Sequence, residues 1–412
     1  MQNNYDFDLS NMPNEFRLLV EILKMKNDKS IGSFKELLTN TDWEFFLQLT
    51  MHHRVYPLIY SKLKNVDERL IPKYVIEKLY QDYKKNTFKM LFLSAEMENL
   101  SRLFNENPIR HLFLKGPVIA FDIYGEISLR TSKDLDILVP KTDLNRVEEL
   151  LLSYGYEREE LQDIVGKSRH HITFFHPQKK IEIEIHWRLN PPPLKEPSFN
   201  ELWNRKRVST LTKYQVYFLG EEDLFLFLIA HGSRHGWFRL RWLADIDKII
   251  QNKVIFSKNS LTLKTYQHQH LGGKANLLIE HTLILASVLM NTRINKEMHS
   301  KAVGKQSRKL AHLAINNIIE KGNLDINEAK FKKNPPFSIK KNLHRSFNIF
   351  LYQLSIKSNL QKFNYLMKLL KPSSADTRTL KLPKSLHYLY YPLHPFLWFW
   401  RKTTNLYKNR EY

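Results

Sequence analysis

Apolar residues recur at helical spacing through the first quarter of the chain. Phe16, Leu19, Val20, Ile22 and Leu23 make one such set, and Leu93, Met97, Leu100 and Phe104 another. Residues three and four apart share a helix face, so 15–106 reads as helical, with no convincing strand. Near Ile109 the pattern changes. HLFLKG (111–116) is a short apolar run ending at glycine, as in a buried strand. PVIAFDIYG (117–125) suits a short helix, with Pro117 in its first turn and Gly125 just past its end. DLDILVP (134–140) opens with alternation and stops at a proline, which predicts a strand. Leu144 to Tyr154 suits an amphipathic helix closed by Gly155. HHITFFHP (170–177) and KIEIEIHWRL (180–189) predict two neighbouring strands, a hairpin.

This order predicts a small α/β unit at 108–190 after an N-terminal helical region at 1–107. Pro191 to Pro193 punctuate the chain. Helical patterning returns in EEDLFLFLIAHGSRHG (221–236) and WFRLRWLADIDKII (237–250), giving a helical domain at 191–328. The remainder, 329–412, is basic and aromatic-rich, with prolines at 335, 336, 372 and 383 suggesting helical pieces joined by loops. No internal repeat is evident.

Composition narrows the function classes. The 412 residues are enough for two or three domains and a sizeable core. There is no cysteine, which excludes disulfides, thiolate zinc sites and a cysteine nucleophile, and fits a reducing compartment. The stretch Met1–Met12 is polar and acidic, unlike a signal peptide, and no run of about 18 apolar residues predicts a membrane span. A cytoplasmic protein is expected, with association at the inner face of the membrane as an option. The net charge of +22 favours anionic partners: nucleotides, nucleic acid, anionic lipid. Between Lys330 and Arg410 the only acid is Asp376, so the excess lies partly in the C-terminal region.

On a strand, side chains two apart share a face. Asp134 and Asp136 therefore point one way, and Leu135 and Ile137 the other. Two carboxylates this close repel unless a cation lies between them, and an oxygen-rich site suits Mg²⁺ or Mn²⁺. IEIEIHW offers Glu182, Glu184 and His186 on one strand face against Ile181, Ile183 and Ile185 on the other. Glu184 is the favoured third carboxylate and Glu182 the reserve. The plain alternative is a pair of solvated strand faces. Lys115, Gly116, Arg130 and Ser132 could meet phosphates: Gly116 by close backbone approach between strand and helix, Arg130 by its planar fork, Ser132 by a hydroxyl. Equally, Gly116 could ease a turn and Arg130 pair with an acid.

The series LKG (114–116), IAFDIYG (119–125), LR (129–130), DLDILV (134–139) and IEIHWRL (183–189) resembles the uncharacterised bacterial nucleotidyltransferase family of the DNA polymerase β-like superfamily. The run EEDLFLFLIAHGSRHGWFRLRWLADI (221–246) is similar to that family's helical half. The resemblance spans roughly 110–250, and its specificity lies in the order of the pieces. It implies an α+β fold, a small mixed-sheet nucleotidyltransferase core flanked by N- and C-terminal helical domains. It implies metal-dependent transfer of a nucleoside monophosphate from a nucleoside triphosphate to a hydroxyl acceptor, with Asp134, Asp136 and Glu184 as metal ligands and Lys115 and Gly116 at the phosphate turn. The superfamily usually carries Gly-Ser at that turn. Here Gly116 precedes Pro117, so the serine contact would fall to another group such as Lys115.

Other residues extend the candidate cleft. His231 and His235 share a helix face but lack the glutamate of a zinc-protease motif. They, with Arg239, Glu182 and His186, are expected to line the cleft or to pack; Trp237 or Arg239 could stack on a base, or simply belong to helix packing with Arg239 or Arg241 paired to Asp245. The C-terminal run LHYLYYPLHPFLWFWRKTTNLYKNR (386–410) mixes aromatic and basic residues, which suits an anionic membrane surface, nucleic acid or docking on the protein's own core. A non-catalytic nucleotide- or nucleic-acid-binding module on the same fold is the rival to the enzyme.

Overall fold

The alternating runs pair into a mixed sheet and the helical runs wrap it. In the computed structural model, residues 12–25, 28–67, 69–159, 170–191, 195–252, 274–294, 304–330, 339–369 and 371–408 are described. The expectations for residues 1–11 and for Pro192, Pro193, Pro335 and Pro336 lie outside them.

Helices α1 (Asn14–Lys24), α2 (Lys35–Thr39), α3 (Trp43–His52), α4 (Tyr56–Leu63) and the long α5 (Lys73–Glu106) come first. The Asp42 carboxylate caps α3 by accepting from the Phe45 amide, and the apolar stripe of α5, including Met90, Leu93, Met97, Leu100 and Phe104, is buried. Strand β1 (Leu112–Phe113) leads through Gly116 into α6 (Pro117–Tyr124), which ends at Gly125 with φ 76°, the left-handed conformation that glycine adopts without strain. Then come β2 (Leu135–Leu138), α7 (Leu144–Ser153), β3 (Glu157–Arg158), β4 (His171–His176), β5 (Ile181–His186), α8 (Phe199–Asn204), β6 (Arg207–Ser209) and β7 (Val216–Phe218). The rest is helical: α9 (Glu221–Arg234), α10 (Leu240–Asn252), α11 (Ala275–Met290), α12 (Lys305–Lys330), α13 (Ile339–Ser355), α14 (Asn359–Leu369), α15 (Ser374–Thr379) and α16 (Tyr390–Lys408).

Among the described residues the sheet has seven strands in the order β3-β4-β5-β2-β1-β7-β6. β4 and β5 form the expected antiparallel hairpin, β1 and β2 are antiparallel, and β2 and β5 are parallel. The parallel pair sets the site, because its register places Asp136 directly against Glu184 and Leu138 against His186. The sheet reaches past the boundary expected at 190, since β7 joins β1 in parallel and β6 pairs β7. Ile181, Ile183 and Ile185 are buried together on one face of β5, as the alternation requires. One hydrophobic core runs from Phe16 through the sheet to Tyr352. The helices before and after the sheet share it, with α1 and α3 packed on α11 and α12. Among the described residues no helix is long and apolar enough to cross a membrane.

Candidate functional site

The antiparallel ladder of β1 and β2 ties LKG to the aspartate strand: Leu112 faces Leu138, and the Leu114 amide donates to the Asp136 carbonyl at 2.9 Å. Gly116 has φ 86° and ψ −150°, a conformation essentially reserved for glycine, and a Cβ there would lie 3.3 Å from Leu135 Cδ2. This turn brings Lys115 back over the sheet. Its ammonium donates to Asp136 Oδ1 at 2.7 Å and lies 5.9 Å from the centre of the Phe227 ring on α9.

Across the parallel pair, His186 Nε2 lies 3.1 Å from Glu184 Oε2 and 3.3 Å from Asp136 Oδ1, bridging the two carboxylates. Burial opposes a charge on Asp136, but the Lys115 ammonium and the His186 hydrogen bond outweigh it and hold its carboxyl well below the usual range. Burial likewise disfavours a charged His186, yet hydrogen bonds to Asp136 and Glu184 raise its pKa. At Asp134, burial and then the Asp136 charge outweigh the pull of Lys115 and push it up to about 6. Glu184 is drawn down chiefly by the His186 hydrogen bond acting against burial.

These groups fit a divalent cation. The ligand atoms of Asp134, Glu182 and Glu184 lie within 4.8 Å of one another, as do those of Asp136, Glu184 and His186. Asp136 Oδ2 is buried without a hydrogen-bond partner, whereas Oδ1 is occupied by Lys115. A cation on Oδ2 would satisfy this buried acceptor and offset the repulsion that raises Asp134. Glu182 is more peripheral, its carboxylate accepting from exposed Lys133 at 2.8 Å.

The other residues singled out from sequence fall into different environments. Arg130 is turned towards Asp245. Its guanidinium is buried and forked onto Asp245, with Nε 3.1 Å from both carboxylate oxygens, and the Tyr124 hydroxyl donates to the same group at 2.9 Å. Ser132 donates its hydroxyl to the Asp134 carbonyl at 3.0 Å, which shapes the turn into the strand. Arg239 donates to the His52 carbonyl on α3 at 2.8 Å, and so contributes to helix packing. Trp237 is fully buried with φ 56°, its indole N–H donating to His281 at 3.0 Å. Gly232 makes room for it, since a Cβ there would meet the Trp237 ring at 2.4 Å. The rings of His231 and His235 lie 4.7 Å apart, tilted by 54°, and burial lowers the His231 pKa well below its ordinary value, so it stays neutral.

Two cations near the carboxylates escape sequence reasoning. Arg234 at the end of α9 donates to His231 Nδ1 at 3.3 Å, keeps Nη1 buried without a partner, and feels the charges of Asp136 and Glu184. It lies three residues after His231, an unremarkable spacing on an amphipathic helix. Lys89 on α5 lies at the surface, and partial desolvation lowers its pKa against the pull of Asp134. Nothing in the periodicity of α5 distinguishes it.

No curated protein matches the chain. Among solved structures, it is similar to an antigenic nucleotidyltransferase-like protein from Paracoccidioides brasiliensis, at 15% identity and a TM-score of 0.30, over 49% of this chain and 94% of that one. That likeness is too slight to bear on the site. The model of the family described as "Uncharacterised nucleotidyltransferase" matches residues 39–271, more than half of the 412 residues and the whole of the aspartate strand, the β4–β5 hairpin and α9. The chain belongs to this uncharacterised nucleotidyltransferase family.

Proposed function

We propose that the protein is a metal-dependent nucleotidyltransferase that moves a nucleoside monophosphate from a nucleoside triphosphate to a hydroxyl acceptor. The observation that carries this reading is the parallel register of β2 and β5, which sets Asp136 beside Glu184 with Asp134 on the same edge. Asp134, Asp136 and Glu184 would hold Mg²⁺ or Mn²⁺. The bound cation would neutralise triphosphate charge and polarise the reacting oxygens.

The chain's own residues have separable tasks. Lys115, held on Asp136 Oδ1, and Arg234, with a spare donor, supply positive charge for phosphates in a site shielded from water. Lys115 thereby takes the place of the serine that Pro117 displaces from the turn. His186 bridges Asp136 and Glu184 and fixes the orientation of both. The positive φ of Gly116 shapes the turn whose backbone would approach a phosphate. The acceptor is expected among sugars, lipid-linked glycans or small molecules, in line with surface polysaccharide or natural-product biosynthesis.

The test is label transfer from α-labelled nucleoside triphosphates, with Mg²⁺ or Mn²⁺ and an extract of candidate acceptors, beside Asp136→Asn. Label incorporated by the native chain and lost in the variant is the expected result. Nucleotide binding with no transfer to any acceptor would instead support the binding module.

A further inference from the structure

Helix α14 turns an apolar face outwards. Leu360, Phe363, Leu366 and Met367 follow the i, i+3, i+6, i+7 spacing of one helical face, yet they are 65%, 60%, 42% and 47% exposed. The inward side carries Tyr365, whose ring faces Phe350 at 6.2 Å and Lys357 Nζ at 4.7 Å. The next large helix repeats the theme: on α16, Phe396, Trp398 and Trp400 are 73%, 49% and 62% exposed. Soluble surfaces seldom present so many large apolar side chains within one stretch of chain without a partner.

This presentation is braced. Asp376 at the start of α15 is completely buried, and it holds His394 Nδ1 and Arg401 Nη1 of α16, both at 2.6 Å. The Tyr390 hydroxyl donates to the Leu380 carbonyl at 2.6 Å and accepts from the Leu382 amide at 3.0 Å. His394, Arg401 and the Tyr390 hydroxyl thus turn to the protein while Trp398 and Trp400 face out.

Charge identifies the partner. Asp376 is the only acid between Lys330 and Arg410, and its ion pair with Arg401 neutralises it. Lys371 and Lys381 stand exposed on the links between α14, α15 and α16. Exposed tryptophans and exposed lysines in one basic C-terminal region, on helices that cannot span a bilayer, match the interfacial zone of an anionic membrane: the rings enter the headgroup layer and the ammonium groups meet lipid phosphates. We propose that α14 and α16 form a docking face that holds the protein on anionic lipid bilayers. The proposal does not depend on the chemistry at Asp136.

The experiment is co-sedimentation of the full chain with vesicles of phosphatidylcholine and phosphatidylglycerol, beside vesicles of phosphatidylcholine alone, at low and high salt. Two double variants serve as probes, Phe363→Ser with Leu366→Ser and Trp398→Ser with Trp400→Ser; all four positions are exposed, and circular dichroism verifies that the fold is kept. The expected result is binding at least tenfold stronger to the anionic vesicles, weakened by salt, and reduced about tenfold or more in each variant. Brominated lipid should quench tryptophan emission in the native chain and markedly less in the Trp398/Trp400 variant. Absence of vesicle binding at low salt would overturn the proposal, as would binding that both variants retain in full. Self-association abolished by the same substitutions, without vesicle binding, would also overturn it by assigning the face to a second copy. Salt-sensitive RNA binding without vesicle binding would overturn it in favour of nucleic acid.

Discussion

Replacing Asp245 by Asn tests whether Arg130 is architecture or a phosphate ligand. The side chains of Arg130 and Asp245 are 1% and 0% exposed, so solvent screens their interaction little. Asn keeps the size of Asp245 and can still accept from Tyr124, but it leaves a buried guanidinium without its countercharge, and Nη1 of that guanidinium already has no partner. Breaking a buried pair from one side costs about 3–5 kcal/mol, which lowers the folding equilibrium constant by roughly two to four orders of magnitude. Replacing both charges with Arg130→Met and Asp245→Leu should recover most of that loss, because two apolar side chains can fill the same space. The consequence extends to the site. Asn86 donates to the carbonyls of Ser128 and Arg130 at 2.8 and 3.3 Å, and Arg241 donates to that of Thr131 at 2.6 Å, so the segment leading into Asp134 hangs on this network. Urea unfolding followed by tryptophan fluorescence measures the stabilities, and nucleotide titration of the folded variants measures binding. A loss below about 1 kcal/mol in Asp245→Asn would refute the reasoning. So would an Arg130→Met chain that keeps its stability and loses nucleotide affinity, which would return Arg130 to the phosphates.

Three further outcomes follow from the geometry. Arg234→Gln should weaken nucleoside triphosphate binding by about 10- to 100-fold, the scale of one charge-assisted contact, while Mn²⁺ affinity measured by calorimetry stays near native; the reverse pattern would remove Arg234 from the phosphate site. Gly116→Ala should cost about 1–3 kcal/mol because of its positive φ and the 3.3 Å approach to Leu135, whereas Gly32→Ala, where a Cβ meets nothing within 4 Å, should change stability by less than about 0.5 kcal/mol; equal losses would contradict the turn argument. His281 accepts from the Trp237 indole at 3.0 Å and burial pushes its pKa down to about 4 from 6.5, so the fold favours the neutral ring. Its contribution is complete above pH 6.5 and is lost as pH falls towards 4, roughly 3 kcal/mol in all; His281→Gln, which keeps an acceptor but does not titrate, should flatten that acid limb of the unfolding midpoint, and an unchanged limb would assign the loss elsewhere.

The parts readable from sequence are those that a local period decides. Alternation in DLDILV and IEIEIHW identifies the faces of β2 and β5, because a strand repeats every two residues and Ile181, Ile183 and Ile185 must be buried together. Pro117 and Gly125 mark the ends of α6 for equally local reasons, a preset φ and a left-handed cap. What local pattern does not encode is the neighbour. Asp136 and Glu184 meet because β5 returns parallel to β2 after α7 and the β4 strand, a register that neither strand specifies alone. Arg130 is a cation next to an aspartate strand, and its own stretch of sequence fits a phosphate ligand; Asp245, far along the chain, claims it. Strands β6 and β7 are three residues each, too short for a period to show. Arg234 and Lys89 act electrostatically on the carboxylates from helices whose apolar stripes explain their fold but not their polar positions. The site is therefore assembled from two strands that sequence identifies and from cations that only the tertiary fold brings to them. The variants that decide its function accordingly lie as much on α5, α9 and α10 as on the aspartate strand itself.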